Sequence, residues 1–115
     1  MSNEFGLAKG DALVREGAFS NSLFLLKEGT LEIKKRHGGK EISLGHIQAG
    51  ELVGEISFLT QEPRSATIVA ATNCVIVEIP SEVFNKILKG LPPWFQSLIK
   101  NLALRLRKTS SKINT

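Results

Sequence analysis

The sequence is poor in the residues from which covalent and metal-bound frameworks are made. Its single cysteine, Cys74, cannot form an internal disulfide. Lying within the apolar run CVIVEI, it reads as a small buried thiol. The two histidines, His37 and His46, stand in different segments with no HxH, HExxH or paired cysteine to complete a metal shell. Zinc and iron chemistry are therefore not expected, which also argues against a metal-dependent all-β barrel enzyme. No pairing of cysteine or serine with histidine suggests an activated nucleophile. No apolar run approaches the roughly 18 residues of a membrane span. The opening MSNEFGLAKG also lacks the apolar stretch of a secretory signal, so a cytoplasmic protein is expected.

Acidic residues are absent from the final segment. Residues 1 to 97 hold ten Lys or Arg against eleven Asp or Glu, a balance of −1, whereas residues 98 to 115 hold five bases and no acid. The net charge of +4 thus belongs to the tail. A basic helix of this kind most simply presents a solvated face and complements the dipole at its C-terminus. With no reading helix or aromatic platform after it, nucleic acid is not expected as a partner.

With 115 residues, 42% of them hydrophobic and 23% charged, the chain has the size and composition of one globular domain, residues 1–115. So small a domain leaves much surface exposed, and docking against a second copy would help it. From Lys9 to Pro80, short apolar stretches alternate with glycine at spacings that suit strands and turns. Residues 13 to 15 precede a turn at Glu16 and Gly17, and in 23 to 35 Leu31 and Ile33 alternate with Glu32 and Lys34. The pair Gly38 and Gly39 supplies the positive φ angles of a tight hairpin. Ile42, Leu44 and Ile47, then SATIVAA and CVIVEI, continue the pattern. Seven or eight short strands between Lys9 and Pro80 predict a small β barrel or sandwich.

After Pro80 the period changes. Ser81 to Lys89 reads as a short helix capped by the serine and stopped by Gly90, with Val83, Phe84, Ile87 and Leu88 on its apolar side. Pro92 and Pro93 open a longer one. In it Phe95, Ile99, Leu102, Leu106, Thr109 and Ile113 follow at spacings of 4, 3, 4, 3 and 4, a heptad seam that predicts a homodimer. Trp94 and Leu98 lie beside the seam and are expected to cover the barrel.

Residues 50 to 68 interrupt the β pattern and read as a site. Gly54 permits close backbone approach, and Glu55 to Leu59 suit one helical turn whose free N–H groups at Ile56 and Ser57 attract an anion. Arg64, nine residues beyond Glu55, suits a bidentate contact to the same anion. Glu55 accepts only, which fits a hydroxyl beside the anion or an ion pair with Arg64 on the surface.

This segment resembles the phosphate-binding cassette of cyclic nucleotide-binding domains, standing here as Gly54, Glu55, Ile56, Ser57, Phe58 and Leu59, then Pro63, Arg64, Ser65, Ala66 and Thr67. Gly10-Asp11, Arg15-Glu16-Gly17, residues 23 to 33 and Gly50-Glu51 resemble the same family's glycine-marked roll. The resemblance implies a mainly β fold, an eight-stranded jelly-roll-like β-roll (1–80) followed by two helices (81–115), the last at a dimer interface. It implies that Arg64 binds a cyclic phosphate and Glu55 the ribose 2'-hydroxyl. The N–H groups of Ile56 and Ser65 and the Ser65 hydroxyl complete the cradle, with Gly54, Ser57 and Ala66 around them. Residues 105 to 112 are similar to the helix of the catabolite-activator members in which a Thr-Ser pair faces adenine, so Thr109 and Ser110 are expected at the base.

The family usually carries a helix before the first strand, but only about eight residues precede Gly10-Asp11 here. The segment FSNSLFLL also lacks the acidic or glycine residue common at that point. No helix-turn-helix segment follows before Thr115, so a stand-alone receptor or a fragment is expected. The implied activity is reception of cyclic AMP, or alternatively cyclic GMP, with no cofactor, no catalysis and an unidentified downstream effector. The competing expectations are a β-roll that dimerises without binding nucleotide and a DNA-binding regulator.

Overall fold

A computed structural model of the chain describes residues 3–19, 22–54 and 63–113, with the backbone alone at positions 103 and 106–113. The described strands are β1 (Asn3–Leu7), β2 (Ala12–Val14), β3 (Ser22–Glu28), β4 (Thr30–His37), β5 (Lys40–Gln48), β6 (Leu52–Val53), β7 (Thr67–Ala70) and β8 (Cys74–Pro80). Helices α1 (Ser81–Lys89) and α2 (Pro93–Ile113) follow. The strands form two antiparallel four-stranded sheets, ordered β1-β8-β3-β6 and β2-β7-β4-β5. This is the expected β-roll with two C-terminal helices.

Each sheet sends one row of side chains inward, because successive residues of a strand point to opposite faces. Leu26 and Ile76 from the first sheet and Leu31 from the second are wholly buried, with Val53 beside them. Cys74 belongs to the same core, as its apolar run implies. Burying such side chains contributes about 1.5–3 kcal/mol each before entropy is counted. The β4–β5 hairpin turns at Gly38 and Gly39, whose φ angles are +60° and +80°, and its register keeps Leu31 opposite Ile47. Near its middle the pairing slips, since Ile33 faces Gly45 whereas Lys34 faces Ser43, so Leu44 is an extra residue on β5.

Three expectations are corrected. Strand pairing begins before Lys9: β1 runs antiparallel to β8, with Phe5 opposite Ile76, and its half-buried Phe5 and Leu7 pack on the core. The N-cap of α1 is Pro80, whose extended backbone leads into the helix with no side-chain cap bond, so Ser81 is the first helical residue and not the cap. The third concerns α2. Pro92 does open this helix, its carbonyl accepting from the N–H groups of Phe95 and Gln96. Trp94 and Leu98 nevertheless do not cover the roll, for they remain 68% and 44% exposed. The chain leaves β8 through α1, whose Val83, Phe84 and Leu88 are half-buried, and α2 begins after the break at Gly90. Among the described residues, no helix is long and apolar enough to cross a membrane.

Candidate functional site

Arg64 is the centre of the site. It lies just before β7, and its backbone is clamped to the loop after β2: its N–H donates to Ala18 O (2.8 Å), and its carbonyl accepts from Gly17 N–H (2.8 Å). Those bonds direct the side chain into the molecule, where Arg64 is only 3% exposed. There Nη1 donates to Gly54 O at 2.7 Å and Nη2 to Ser22 O at 2.6 Å, while the guanidinium lies 5.9 Å from the ring centroid of Phe24. Burial of a cation is costly unless its N–H groups are satisfied, and backbone carbonyls are suitable neutral acceptors.

Gly54 permits this approach. Its φ is +76°, and a Cβ built there would overlap Nη1 of Arg64. Two reasons thus require glycine at one position, one conformational and one steric. Ser22, whose carbonyl is the other acceptor for the guanidinium, is itself buried, and its hydroxyl donates to Oε2 of Glu78 at 2.6 Å. Arg64 is thereby linked to β8 two residues before that strand ends at Pro80.

A cleft of about 290 Å³ opens beside the guanidinium, at the lower end of the roughly 300–1,000 Å³ usual for small-molecule sites. Gly54, Arg64, Ser65 and Ala66 line it together with His46 and Glu51, and Ile33, Leu52 and Ile68 are among its apolar walls. Ser65 is exposed and Ala66 buried. A cation in a largely apolar cleft suits an anion carrying an apolar body.

Of the residues selected from sequence, Gly54, Arg64, Ser65 and Ala66 come together here. Glu55, Ile56 and Ser57 lie outside the described residues, as does the helical turn expected for them. Thr109 and Ser110 fall on α2, but their side chains are outside the described set. Sequence reasoning missed Ser22, Phe24 and Lys35, whose Nζ donates to Ser65 O at 2.9 Å. The alternation of Leu31 and Ile33 carried two residues further would have drawn attention to Lys35. No local pattern marks Ser22, because its part in the site is played by a backbone carbonyl.

The model of the cyclic nucleotide-binding domain matches residues 5–90 of this chain. The chain belongs to that family. Among curated relatives it is 28% identical over 103 residues to the cAMP-activated global transcriptional regulator CRP of Salmonella typhimurium, covering 88% of this chain and 49% of that protein. It is 29% identical over 107 residues to the Cyclic AMP receptor protein of Thermus thermophilus, covering 92% and 50%. The chain thus spans about half the length of these relatives. Among solved structures it resembles the Thermus thermophilus Catabolite Activator Protein, with a TM-score of 0.78 and 27% identity, covering 98% of this chain and 54% of that one. In this cyclic nucleotide-binding domain the matched region ends at Gly90, so α2 lies beyond it.

Proposed function

We propose that this domain is a cyclic nucleotide receptor whose ligand is cyclic AMP, and that occupancy of the cleft is passed to the C-terminal helices. The observation that carries the reading is Arg64 held against Gly54 in the lining of a largely apolar cleft, since a guanidinium suits the bidentate recognition of a phosphate. In this reading Arg64 takes the cyclic phosphate with the Ser65 hydroxyl and N–H, and Ala66 and Gly54 keep side chains out of the way. Glu55, a pure acceptor, takes the ribose 2'-hydroxyl, and the backbone of Ile56 and Ser57 completes the cradle. Thr109 and Ser110 meet the purine. The likeness to proteins named for cyclic AMP supports that base over guanine. The domain's task is regulatory, and no catalytic step is assigned to it.

A homodimer through α2 belongs to the same proposal. Phe95 and Leu102 of the heptad seam are 36% and 47% exposed, so at these two positions the seam is left partly uncovered. This same exposure favours the second reading, a dimerising β-roll that no longer binds nucleotide.

Isothermal titration calorimetry separates the two, using protein verified as folded and free of bound nucleotide. The receptor gives a saturable signal near one site per chain, stronger with cyclic AMP than with cyclic GMP, and Arg64→Ala abolishes it by removing a charge-assisted bidentate contact. Silence with both nucleotides transfers the assignment to the interaction module. Saturable binding that Arg64→Ala leaves intact overturns the role given to this arginine.

A further inference from the structure

Strand β4 sends Leu31, Ile33 and Lys35 to one face, two residues apart. Leu31 is fully buried and Ile33 lines the cleft, so the row ends in an ammonium where another apolar residue would continue it. The neighbouring β7 runs antiparallel with Ile33 opposite Ile68 and Lys34 opposite Thr67. Continued by one residue, that register brings Lys35 alongside Ala66. The half-buried side chain turns towards the residue after Arg64, and Nζ donates to Ser65 O at 2.9 Å.

That bond falls on a peptide of the site. In a trans peptide the carbonyl and the following N–H point in opposite directions, so holding Ser65 O fixes the Ser65–Ala66 plane, the next peptide beyond the one that carries the Ser65 N–H. The adjacent lysine differs. Lys34 faces the other way and lies 3.8 Å from Glu32 and 3.6 Å from Glu41, where its charge is offset. Among the described residues Lys35 forms no ion pair.

We infer that Lys35 is a second cation of the anion subsite, a positioning residue that fixes the Ser65 backbone and adds its charge to that of Arg64. The inference rests on the reading of the cleft as a cyclic-phosphate site. An ammonium there, with no ion pair among the described residues, raises the local positive potential, and such a contribution depends on salt.

The test uses the full chain and cyclic AMP, comparing wild type, Lys35→Met and Lys35→Arg by calorimetry in about 0.1 M and about 1 M salt, where the screening length falls from roughly 10 to 3 Å. Lys35→Met is expected to bind about tenfold more weakly at the lower salt and within about twofold of wild type at the higher, with Lys35→Arg near wild type at both. Melting of the ligand-free variants checks that they fold, and Lys35→Gln, which keeps a donor without the charge, replaces the methionine variant if it does not. Unchanged affinity in the neutral variant overturns the inference, as does a loss that salt leaves unaltered and arginine does not rescue. Arg64→Ala is the separate control. If wild type binds no nucleotide, or Arg64→Ala binds like wild type, the parent reading fails and this inference with it. If Arg64→Ala loses binding while Lys35→Met does not, the inference alone fails.

Discussion

The roll and the last helix treat their apolar residues in opposite ways. In the roll Leu26, Leu31 and Ile76 have no exposed surface, whereas in α2 Trp94, Leu98 and Leu102 are 68%, 44% and 47% exposed. Two sheets supply one another's cover, whereas in α2 these described apolar side chains remain partly open. The difference teaches that the stability of this molecule resides in its β half. The apolar side chains of α2 are available to another surface, which the proposal assigns to a second copy.

The largest expected effect lies in the core. Leu26→Ala should cost about 2–5 kcal/mol in denaturant unfolding, because a fully buried site cannot collapse around the lost atoms. Gly54→Ala should come next, at about 1–3 kcal/mol for a side chain forced into the left-handed region. Its methyl also displaces the guanidinium, so cyclic AMP affinity should fall further than that of a surface variant. Ser22→Ala removes the 2.6 Å bond to the Glu78 carboxylate and should cost about 1.5 kcal/mol, read as a coupling energy in a double-mutant cycle with Glu78→Gln. Leu98→Ala should change the unfolding of dilute protein by less than about 0.5 kcal/mol, since its side chain is 44% exposed and lies outside the buried core. A cost approaching that of Leu26→Ala, measured where the protein is monomeric, would break the contrast between roll and helix.

The smallest effect is electrostatic and belongs to the roll's surface. The hydrogen bond and charge of Glu4, at 2.9 Å, raise the Lys27 ammonium above its ordinary pKa of 10.5, joining β1 to β3 across β8. A raised folded-state pKa gives a contribution that is full below 10.5 and lost as pH rises through the higher value. Both groups are exposed, so salt weakens it. Melting temperatures of wild type and Lys27→Met should therefore differ slightly at neutral pH and converge in alkali.

Much of the site was legible because its parts are local and chemically unusual. Gly54 and Arg64 stand ten residues apart in a segment that fits neither a strand period nor a long helix, and the structure brings them to 2.7 Å. Ser22 was not legible, since its carbonyl reaches Arg64 across 42 residues and any residue type has a carbonyl. The course of β1 was hidden for a related reason. Its partner is β8, at the other end of the roll, and only that pairing makes a strand of NEFGL. The N-cap at Pro80 was missed because strand β8 runs directly into α1, leaving Ser81 already inside the helix.

Alternation, paired glycines and a change to helical period were sufficient to predict a small β barrel or sandwich followed by two helices, for each is a local constraint on backbone and burial; that the barrel is a β-roll was implied by the family resemblance. The family cassette was likewise written in consecutive residues. The tertiary structure decided that Arg64 turns inward between Gly54 and Ser22, that Lys35 reaches Ser65 and that α2 leaves the roll uncovered by Trp94 and Leu98. These outcomes depend on distances between segments remote in the chain, and such distances are set by how sheets register and pack.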